Sequence, residues 1–379
     1  MAASKITYSS TGVDYSVMDP LKKLAQKLGK QTSKNLEVFG FKEVAQSRGE
    51  SAYVWEEKDC YRAFVTEGLG TKNLVADEIQ KVTGKTYYDS IAKDTVAAIV
   101  NDILTVGALP QVVNAYFGSG GPDWFLDTTR STALVEGWTK ACEEAGATWG
   151  GGETPGLKGI INEQTLDLAG ACIGIIQPKE RLTLGDKLDS GDVILLIESS
   201  GIHANGLSLA RKVADNLPKR YSTKLADGSV YGEALLIPTH IYVSLVKDLF
   251  EAGVDIHYMV NITGHGWRKL MRANKQFSYI INEIPTPQPI FNFIKENSDN
   301  TDEQMYATFN MGAGFAIYLP ANQVDKAQSI IAKHNLKSWN AGEVKTGEKQ
   351  VVINRGTIPT RVGIKSKNII FAADSLGVR

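Results

Sequence analysis

The sequence predicts an α/β fold with mixed sheets, divided between two domains. Its 379 residues are two to three domains' worth at ~150 residues per domain, and a hydrophobic content of 43% supports more than one core. From Tyr61 onward, apolar strand-like runs alternate with runs of helical periodicity, which is the pattern of layered α/β domains. The polar stretch 178–192 interrupts this pattern, and a buried-type strand beginning at Val193 resumes it.

The chain before this alternation is predicted to be an N-terminal arm, residues 1–57, because it is polar and weakly periodic. One helix is expected within it, starting at Pro20. Its apolar residues Leu21, Leu24 and Leu28 share one helical face, and proline is favoured in the first helical turn.

The two domains are expected at residues 58–180 and 190–350. The second repeats the composition of the first, with helical segments after the GIHANG and PTHIY sequences and strands at FSYII and GFAIYLP. The tail, residues 351–379, has no predicted place in either domain.

Charge and cysteine content exclude several classes of protein. Lys plus Arg number 41 against 42 Asp plus Glu, so no overall charge attracts nucleic acid or anionic lipid. The three cysteines form no CxxC pair, which argues against a disulfide framework and a cysteine zinc site. The N-terminal residues do not resemble a secretory signal, and no apolar run reaches ~18 residues. We therefore expect a cytoplasmic protein that neither crosses a membrane nor binds nucleic acid.

Familiar nucleotide-binding motifs are absent, but the segment 64–72, FVTEGLGTK, has the composition of a phosphate-binding turn. No GxGxxG occurs, and GEVKTGEK has glutamate in place of the P-loop lysine. An apolar strand that feeds a glycine turn can offer backbone N–H groups and Lys72 to a phosphate, while Glu67 can hold a cation. The alternative is a tight turn without a ligand.

Two aspartates stand in an otherwise apolar helical run. Asp94 and Asp102 are eight residues apart, roughly 80° apart around a helix, so both can lean toward one site. A carboxylate in an apolar helix is costly unless it is paired or bound to a metal, and Mg²⁺ prefers such oxygen ligands. The alternative is that Asp94 caps the helix and Asp102 pairs with a lysine.

Two further loops carry polar residues beside glycines. The GGGETPG loop, 150–156, places Glu153 before a strand, and SSGIHANG places His203 and Asn205 between a strand and a helix. Helix N-terminal N–H groups favour an anion, and a histidine can bind phosphate or shuttle a proton. The alternatives are a helix-terminating loop and a structural histidine.

Taken in order, these segments resemble the aminoimidazole ribonucleotide synthetase family, also called phosphoribosylformylglycinamidine cyclo-ligase, of the PurM-like superfamily. The matching segments span residues 11 to about 345. They are TGVDYSVMD (11–19), VTEGLGTK (65–72), VNDIL (100–104), GGET (151–154), DLAGACIG (167–174), SSGIHANGLSLARKV (199–213), IPTHIYV (237–243), NITGHG (261–266) and MYATFNMGAG (305–314).

The resemblance implies a two-domain PurM-like fold, with the N-terminal sheets of two subunits closing into a barrel in a homodimer. It also implies a ligase of purine biosynthesis that uses ATP and Mg²⁺, with a monovalent cation as a further candidate. In the implied reaction, ATP phosphorylates the formamide oxygen of the small-molecule substrate, formylglycinamidine ribonucleotide. A nitrogen of the amidine then attacks the activated carbon, and phosphate leaves.

Site residues follow from matched position. The resemblance implies metal binding by Glu67, Asp94 and Asp102, and catalytic roles for Lys72, Asp102 and His203. Residues implied to bind ATP and its metal are Asp14, Glu67, Gly68, Gly70, Thr71, Lys72, Asp94 and Asp102. Residues implied to bind the ribonucleotide are Gly152, Glu153, His203, Asn205 and Thr263. Asp14 is further expected to lie on a mobile lid that closes over the nucleotide.

Several positions depart from the family pattern. The family usually has aspartate at Glu67, histidine at Asn261, glycine at His265 and a basic residue near Ser9 and Ser10. A loop after GGET is also shorter here. These departures motivate two alternatives, another PurM-like ATP-dependent enzyme with a different substrate and a catalytically inactive relative that binds a nucleotide.

Other branches of the superfamily fit the residues less well. Selenophosphate synthetase needs an N-terminal reactive cysteine, whereas the first cysteine here is Cys60. Thiamine monophosphate kinase carries paired aspartates near position 67 and an aspartate at Asn261. The hydrogenase maturation member needs a C-terminal cysteine, and this sequence ends SLGVR.

Overall fold

The structure, a computed structural model, describes residues 11–12, 15–355 and 368–376. The helices are α1 (Tyr15–Gly29), α2 (Asn73–Thr83), α3 (Tyr88–Leu104), α4 (Asp123–Leu126), α5 (Thr128–Glu144), α6 (Leu207–Asn216), α7 (Tyr231–Leu235), α8 (Val243–Glu251), α9 (Pro289–Glu296), α10 (Asp302–Thr308) and α11 (Val324–Lys333). The strands are β1 (Lys42–Glu43), β2 (Tyr53–Glu56), β3 (Tyr61–Gly68), β4 (Leu109–Ser119), β5 (Thr148–Glu153), β6 (Leu166–Ile176), β7 (Val193–Glu198), β8 (Tyr258–Asn261), β9 (Phe277–Ile281), β10 (Ala313–Leu319), β11 (Ser338–Thr346), β12 (Gln350–Ile353) and β13 (Ile369–Ala372).

The first sheet has six strands in the order β1-β2-β3-β6-β4-β5. Neighbours are antiparallel except β4 and β5, which run parallel. Side chains of β6 alternate in burial, with Leu166, Leu168 and Cys172 on the buried face. Helix α3 packs against β3 and β6, and α5 packs on α3, so one face of this sheet is covered by helices.

The opposite face of the first sheet is largely open. Phe64 of β3 pairs with Ile173 of β6, which in turn pairs with Val112 of β4, so the three side chains form one apolar row. Phe64 is 44% exposed. An exposed apolar row across three strands is a surface that a partner commonly covers.

The second sheet has seven strands in the order β13-β12-β9-β11-β7-β10-β8. Its central strands β7 and β10 are near-continuous apolar runs and are buried almost throughout, since protein covers both faces. Parallel pairing of β12 with β9 among antiparallel neighbours makes this sheet mixed as well. The predicted α/β fold with mixed sheets in two domains is confirmed.

The predicted arm and tail both contribute strands. β1 and β2 lie within residues 1–57 but belong to the first sheet, and β12 and β13 extend the second sheet. Sequence periodicity missed these strands because each has only two to four residues, so that alternation spans too few positions. Helix α1 begins at Tyr15 rather than Pro20, and its apolar residues stay exposed, with Leu21 at 70%.

Within the described part of the chain, no helix combines the length and the apolar composition that a membrane crossing requires.

Candidate active site

The glycine turn after β3 forms one wall of a first pocket, a cavity of about 230 Å³. Gly70 has φ +77°, a left-handed conformation that favours glycine. The N–H of Leu69 donates to the carbonyl oxygen of Leu168 at 2.8 Å, and the buried Leu69 side chain anchors the turn. Gly68, Gly70 and Thr71, for which the sequence predicts contacts with ATP, consequently line the pocket.

The N-terminus of α6 forms the facing wall. Gly206 precedes this helix with φ +78°, and an added Cβ there would lie 2.1 Å from Cε1 of Phe309. Only glycine therefore lets the loop approach Phe309 and turn into the helix. Asn205 and Ser208 line the same cavity, so the first N–H groups of α6 lie beside the glycine turn. Two sets of backbone donors at one opening are suited to a polyphosphate.

A second pocket of about 260 Å³ adjoins the first. Four polar residues line both cavities and join them: Glu67, Asp102, Asn205 and Thr263. The second pocket is otherwise lined by residues of α1, the segment 49–51, the glycine segment after β8 and Leu376 near the C-terminus. Two cavities that share a polar wall can hold two reactants whose reacting groups meet at that wall.

Glu67 and Asp102 form a carboxylate pair on the shared wall. Asp102 is 5% exposed, and its Oδ1 accepts a hydrogen bond from Nδ2 of Asn261 at 2.7 Å. Burial, followed by repulsion from Asp102, raises the pKa of Glu67 to about 8, although Lys269 partly opposes this. Close carboxylates cannot both be charged cheaply, so the pair retains a proton or attracts a cation.

This carboxylate pair fits a Mg²⁺ site, which commonly uses one or two carboxylates together with substrate phosphates. The donor set is smaller than predicted, because Asp94 is not part of it. Among the described residues, no three His, Cys, Asp or Glu side chains are arranged to hold a metal by themselves. The ion would therefore be shared between Glu67, Asp102 and a bound phosphate.

Lys269 is a residue of the site that the sequence did not indicate. Its side chain lines the second pocket and is buried, and its Nζ donates to the carbonyl oxygen of Asn261 at 3.4 Å and to Oγ1 of Thr263. Burial lowers its pKa, while Asp102 raises it. A lysine eight residues after Asn261 has no motif of its own, and only the turn at residues 261–266 returns it to the carboxylates.

Lys72 and Asp94 lie outside both pockets, in a buried ion pair between the two domains. Nζ of Lys72 is 2.7 Å from Oδ2 of Asp94 and donates to the carbonyl oxygens of His203 and Ile237, each at 2.9 Å. Asp94 also accepts from the N–H of Thr239 at 2.9 Å and from its hydroxyl. All three ammonium donors have partners, so the proposed phosphate and metal site is built without these two residues.

His203 is also placed away from the pockets. It is 2% exposed, and its Nε2 accepts a hydrogen bond from the N–H of Ser200 at 3.2 Å. Burial, followed by repulsion from His240 and Lys72, holds the pKa of His203 well below its usual range. A neutral ring that accepts from its own loop fits the alternative left open by the sequence, a structural histidine.

Of the remaining predicted site residues, some line the two pockets and others do not. Asn205 and Thr263 line both pockets, whereas Gly152 and Glu153 line neither. Glu153 is the last residue of β5, which lies three strands from β3 in the first sheet. At the usual strand spacing the two strands are therefore roughly 14 Å apart. The Glu153 carboxylate accepts a hydrogen bond from the N–H of Thr154. Asp14, the predicted lid residue, lies outside the described residues.

The raised pKa of Glu67 predicts how stability depends on pH. Folded protein retains on Glu67 a proton that unfolded protein releases, so the free energy of unfolding should fall as pH rises from about 4.5 to about 8 and then level off. Urea unfolding of wild type and Glu67→Gln from pH 4 to 9 measures the difference. The wild-type curve should fall more steeply than that of the variant; parallel curves would contradict the burial argument.

The fold and the two joined pockets define a class of protein, a two-domain α/β protein whose glycine turn and helix N-terminus face one cavity and are suited to bind phosphate. Sequence comparison gives the family. Residues 49–176 match the profile described as "AIR synthase related protein, N-terminal domain", and residues 189–354 match "AIR synthase related protein, C-terminal domain". The chain belongs to this AIR synthase family.

Two curated relatives that align with most of the chain bear the same name. The phosphoribosylformylglycinamidine cyclo-ligase of Methanothermobacter thermautotrophicus is 36% identical over 328 residues, which cover 86% of this chain and 91% of that protein. The cyclo-ligase of Carboxydothermus hydrogenoformans is 34% identical over 362 residues, covering 92% of this chain and 99% of that protein.

Solved structures support the fold. The structure described as AaThiL complexed with AMPPCP and TMP matches with a TM-score of 0.57 at 15% identity, covering 88% of this chain and 94% of that one. The hydrogenase maturation protein HypE in complex with ATP matches with a TM-score of 0.52 at 20% identity, covering 69% of this chain and 75% of that one.

Proposed function

We propose that the protein is an ATP-dependent phosphoribosylformylglycinamidine cyclo-ligase, which converts formylglycinamidine ribonucleotide to aminoimidazole ribonucleotide with release of ADP and phosphate. Relatives 32–36% identical over most of the chain bear this name. The observation that carries the proposal is the pair of cavities joined by Glu67, Asp102, Asn205 and Thr263, because a phosphoryl transfer between two bound molecules needs such a shared wall.

In the proposed arrangement, ATP phosphates occupy the first pocket. Backbone N–H groups of the glycine turn and of the α6 N-terminus would bind the phosphate oxygens. Mg²⁺ held by Glu67 and Asp102 would supply neutralising charge for the phosphates. Lys72 takes no part, because its ammonium is enclosed in the domain interface.

The ribonucleotide occupies the second pocket, with its formamide oxygen at the shared wall. Attack of this oxygen on the γ-phosphorus breaks the bond to ADP, and the amidine nitrogen then displaces phosphate from the activated carbon. Asn205 and Thr263 would orient the formamide, since both side chains line both cavities. Phosphorylation is needed because oxygen leaves an amide carbon poorly, whereas phosphate leaves well.

An assay of purified protein with ATP, Mg²⁺ and formylglycinamidine ribonucleotide tests the proposal. We expect ADP and the cyclised product to form together, in equal amounts. ADP without cyclised product would indicate a different phosphoryl acceptor. ATP binding without ADP formation would indicate a catalytically inactive relative.

We also propose a homodimer through the open face of the first sheet. The row formed by Phe64, Ile173 and Val112 is apolar and partly exposed, and a second copy related by two-fold symmetry would bury it. We further place the enzyme in a reducing cytosol, because Cys60, Cys142 and Cys172 are all free thiols.

Phe64→Asp should convert the dimer to monomer. A charge in an apolar interface should weaken association at least ~30-fold. Sedimentation at micromolar concentration should give twice the 41.2 kDa chain mass for wild type and a single chain mass for the variant. Val82→Asp is the matched control, because Val82 is an apolar residue, 62% exposed, on α2. A wild-type monomer, or a dimer that survives Phe64→Asp, would contradict this interface.

A further inference from the structure

The ammonium of Lys269 has fewer hydrogen-bond and ion-pair partners than is usual for a buried structural lysine. Its side chain is 8% exposed, yet its ammonium has hydrogen bonds only to the Asn261 carbonyl and the Thr263 hydroxyl among the described residues. Within that same part of the chain, no carboxylate oxygen lies within 4.0 Å of its Nζ. One of its three N–H donors thus has no hydrogen-bond partner among the described residues.

Lys72, the other lysine that is buried among the described residues, has its charge paired. Lys72 has three oxygen partners, of which one is the Asp94 carboxylate at 2.7 Å. A buried ammonium without a close counter-ion is costly. Because Lys269 lines an open cavity rather than a closed core, its missing partner can be supplied by an anionic ligand.

The part of the second pocket that is not shared with the first is rich in cationic side chains. Lys269 and Arg272 come from the segment after β8, and Lys22 comes from α1. Arg272 is held by the Gly49 carbonyl and the Ser51 hydroxyl at 2.9 and 2.8 Å, which fixes its guanidinium in the wall.

Carboxylates lie beside two of these three cations, Arg272 and Lys22. Glu67 and Asp102 stand on the wall shared with the first pocket. Glu50, in the unshared part, accepts from the hydroxyl of Tyr258 at 2.8 Å and lies 3.7 Å from Arg272. Lys22 lies 3.1 Å from the Asp19 carboxylate, so among the described residues Lys269 is the cation at this end that has no carboxylate oxygen within 4.0 Å.

We propose that Lys269 anchors a subsite for a phosphate monoester, namely the 5′-phosphate of the ribonucleotide, at the unshared end of the second pocket. This inference rests on the proposed function for the identity of the substrate. A phosphate monoester carries nearly two negative charges at neutral pH and several acceptor oxygens, so it matches a free ammonium N–H flanked by a guanidinium and a second ammonium. ATP bound in the first pocket would not contact Lys269, because Lys269 lines only the second of the two pockets.

Steady-state kinetics of Lys269→Met tests the subsite. The KM for the ribonucleotide should rise about 10- to 100-fold, as expected for the loss of a charged hydrogen bond, while the KM for ATP changes less than ~3-fold. Lys269→Arg should recover part of the loss because it retains the charge. Lys275→Met is the control, since the Lys275 ammonium bonds to the Asp186 carbonyl outside both pockets. An unchanged ribonucleotide KM, or an increase confined to ATP, would overturn the proposal.

Direct binding separates this proposal from the proposed function. Ribose 5-phosphate should bind the wild-type protein at least ~10-fold more tightly than ribose in calorimetry, and Lys269→Met should abolish that difference. If Lys269→Met does not fold, Lys269→Gln provides an uncharged variant that retains a donor. Lys269-dependent binding in a protein without ligase turnover would support the subsite and reject the substrate. Equal binding of ribose and ribose 5-phosphate by wild type would reject the subsite.

Discussion

Replacement of Asp102 by asparagine is expected to lower turnover at least ~100-fold while leaving the protein folded. An uncharged amide cannot neutralise a cation bound beside the ATP phosphates, although its oxygen can still accept from Nδ2 of Asn261. Rates of ADP release under saturating ATP and Mg²⁺ measure the effect, and thermal unfolding verifies the fold.

The matched control for Asp102→Asn is Asp248→Asn. Asp248 is an exposed carboxylate that contacts His334, and neither residue lines the two pockets, so its loss should leave turnover unchanged. Full ADP release by Asp102→Asn would show that the carboxylate pair does not serve catalysis. Loss of activity together with loss of structure would instead assign Asp102 to the fold.

Lys72→Met is expected to lower the free energy of unfolding by about 3–5 kcal/mol, because it leaves the buried Asp94 carboxylate without its counter-ion. Urea denaturation measures the change. The double variant Lys72→Met with Asp94→Asn should recover part of the loss, since it removes the uncompensated charge while retaining an acceptor for Thr239.

The same variant distinguishes the two roles that Lys72 can have. A lysine that contacts a phosphate would, when replaced, reduce activity with little change in stability. A lysine in the domain interface would, when replaced, lower stability with little change in activity. Activity must then be measured at low denaturant concentration, where the variant remains folded. Unchanged stability in Lys72→Met would therefore contradict the interface role and restore Lys72 as a candidate phosphate ligand.

The sequence predicted local features of the site well, because glycine turns and helix starts are encoded by neighbouring residues. The turn containing Gly68 and Gly70 and the loop before α6, both singled out from the sequence, line the first pocket. It could not predict side-chain direction within α3. Asp94 and Asp102 are both inward-facing, but one meets the lysine of a distant turn and the other meets Asn261.

Contacts between segments that are far apart in the sequence explain the remaining differences between the predicted and the observed structure. Lys269 enters the site because β8 and the following turn bring it back toward β3, a contact between segments about 200 residues apart. Hydrophobic periodicity contains no information on such contacts. The edge strands β1 and β13 were missed for a related reason, since strands of two to four residues are defined by their partners rather than by their own pattern.

The polar links between α3 and the segment 237–242 bear on how the chain can be divided. Besides the Asp94 contacts, Asn101 donates to the carbonyl oxygen of His240 at 2.8 Å and accepts from the N–H of Tyr242 at 3.0 Å. A fragment ending near residue 183 would keep the Lys72–Asp94 ion pair but would expose Lys72, Asp94 and Asn101 without their partners from the second domain, and should be poorly soluble alone. Co-expressed with the complementary fragment, it should reassemble through these same bonds, which makes the polar connection between the domains the natural position for a split-protein reporter.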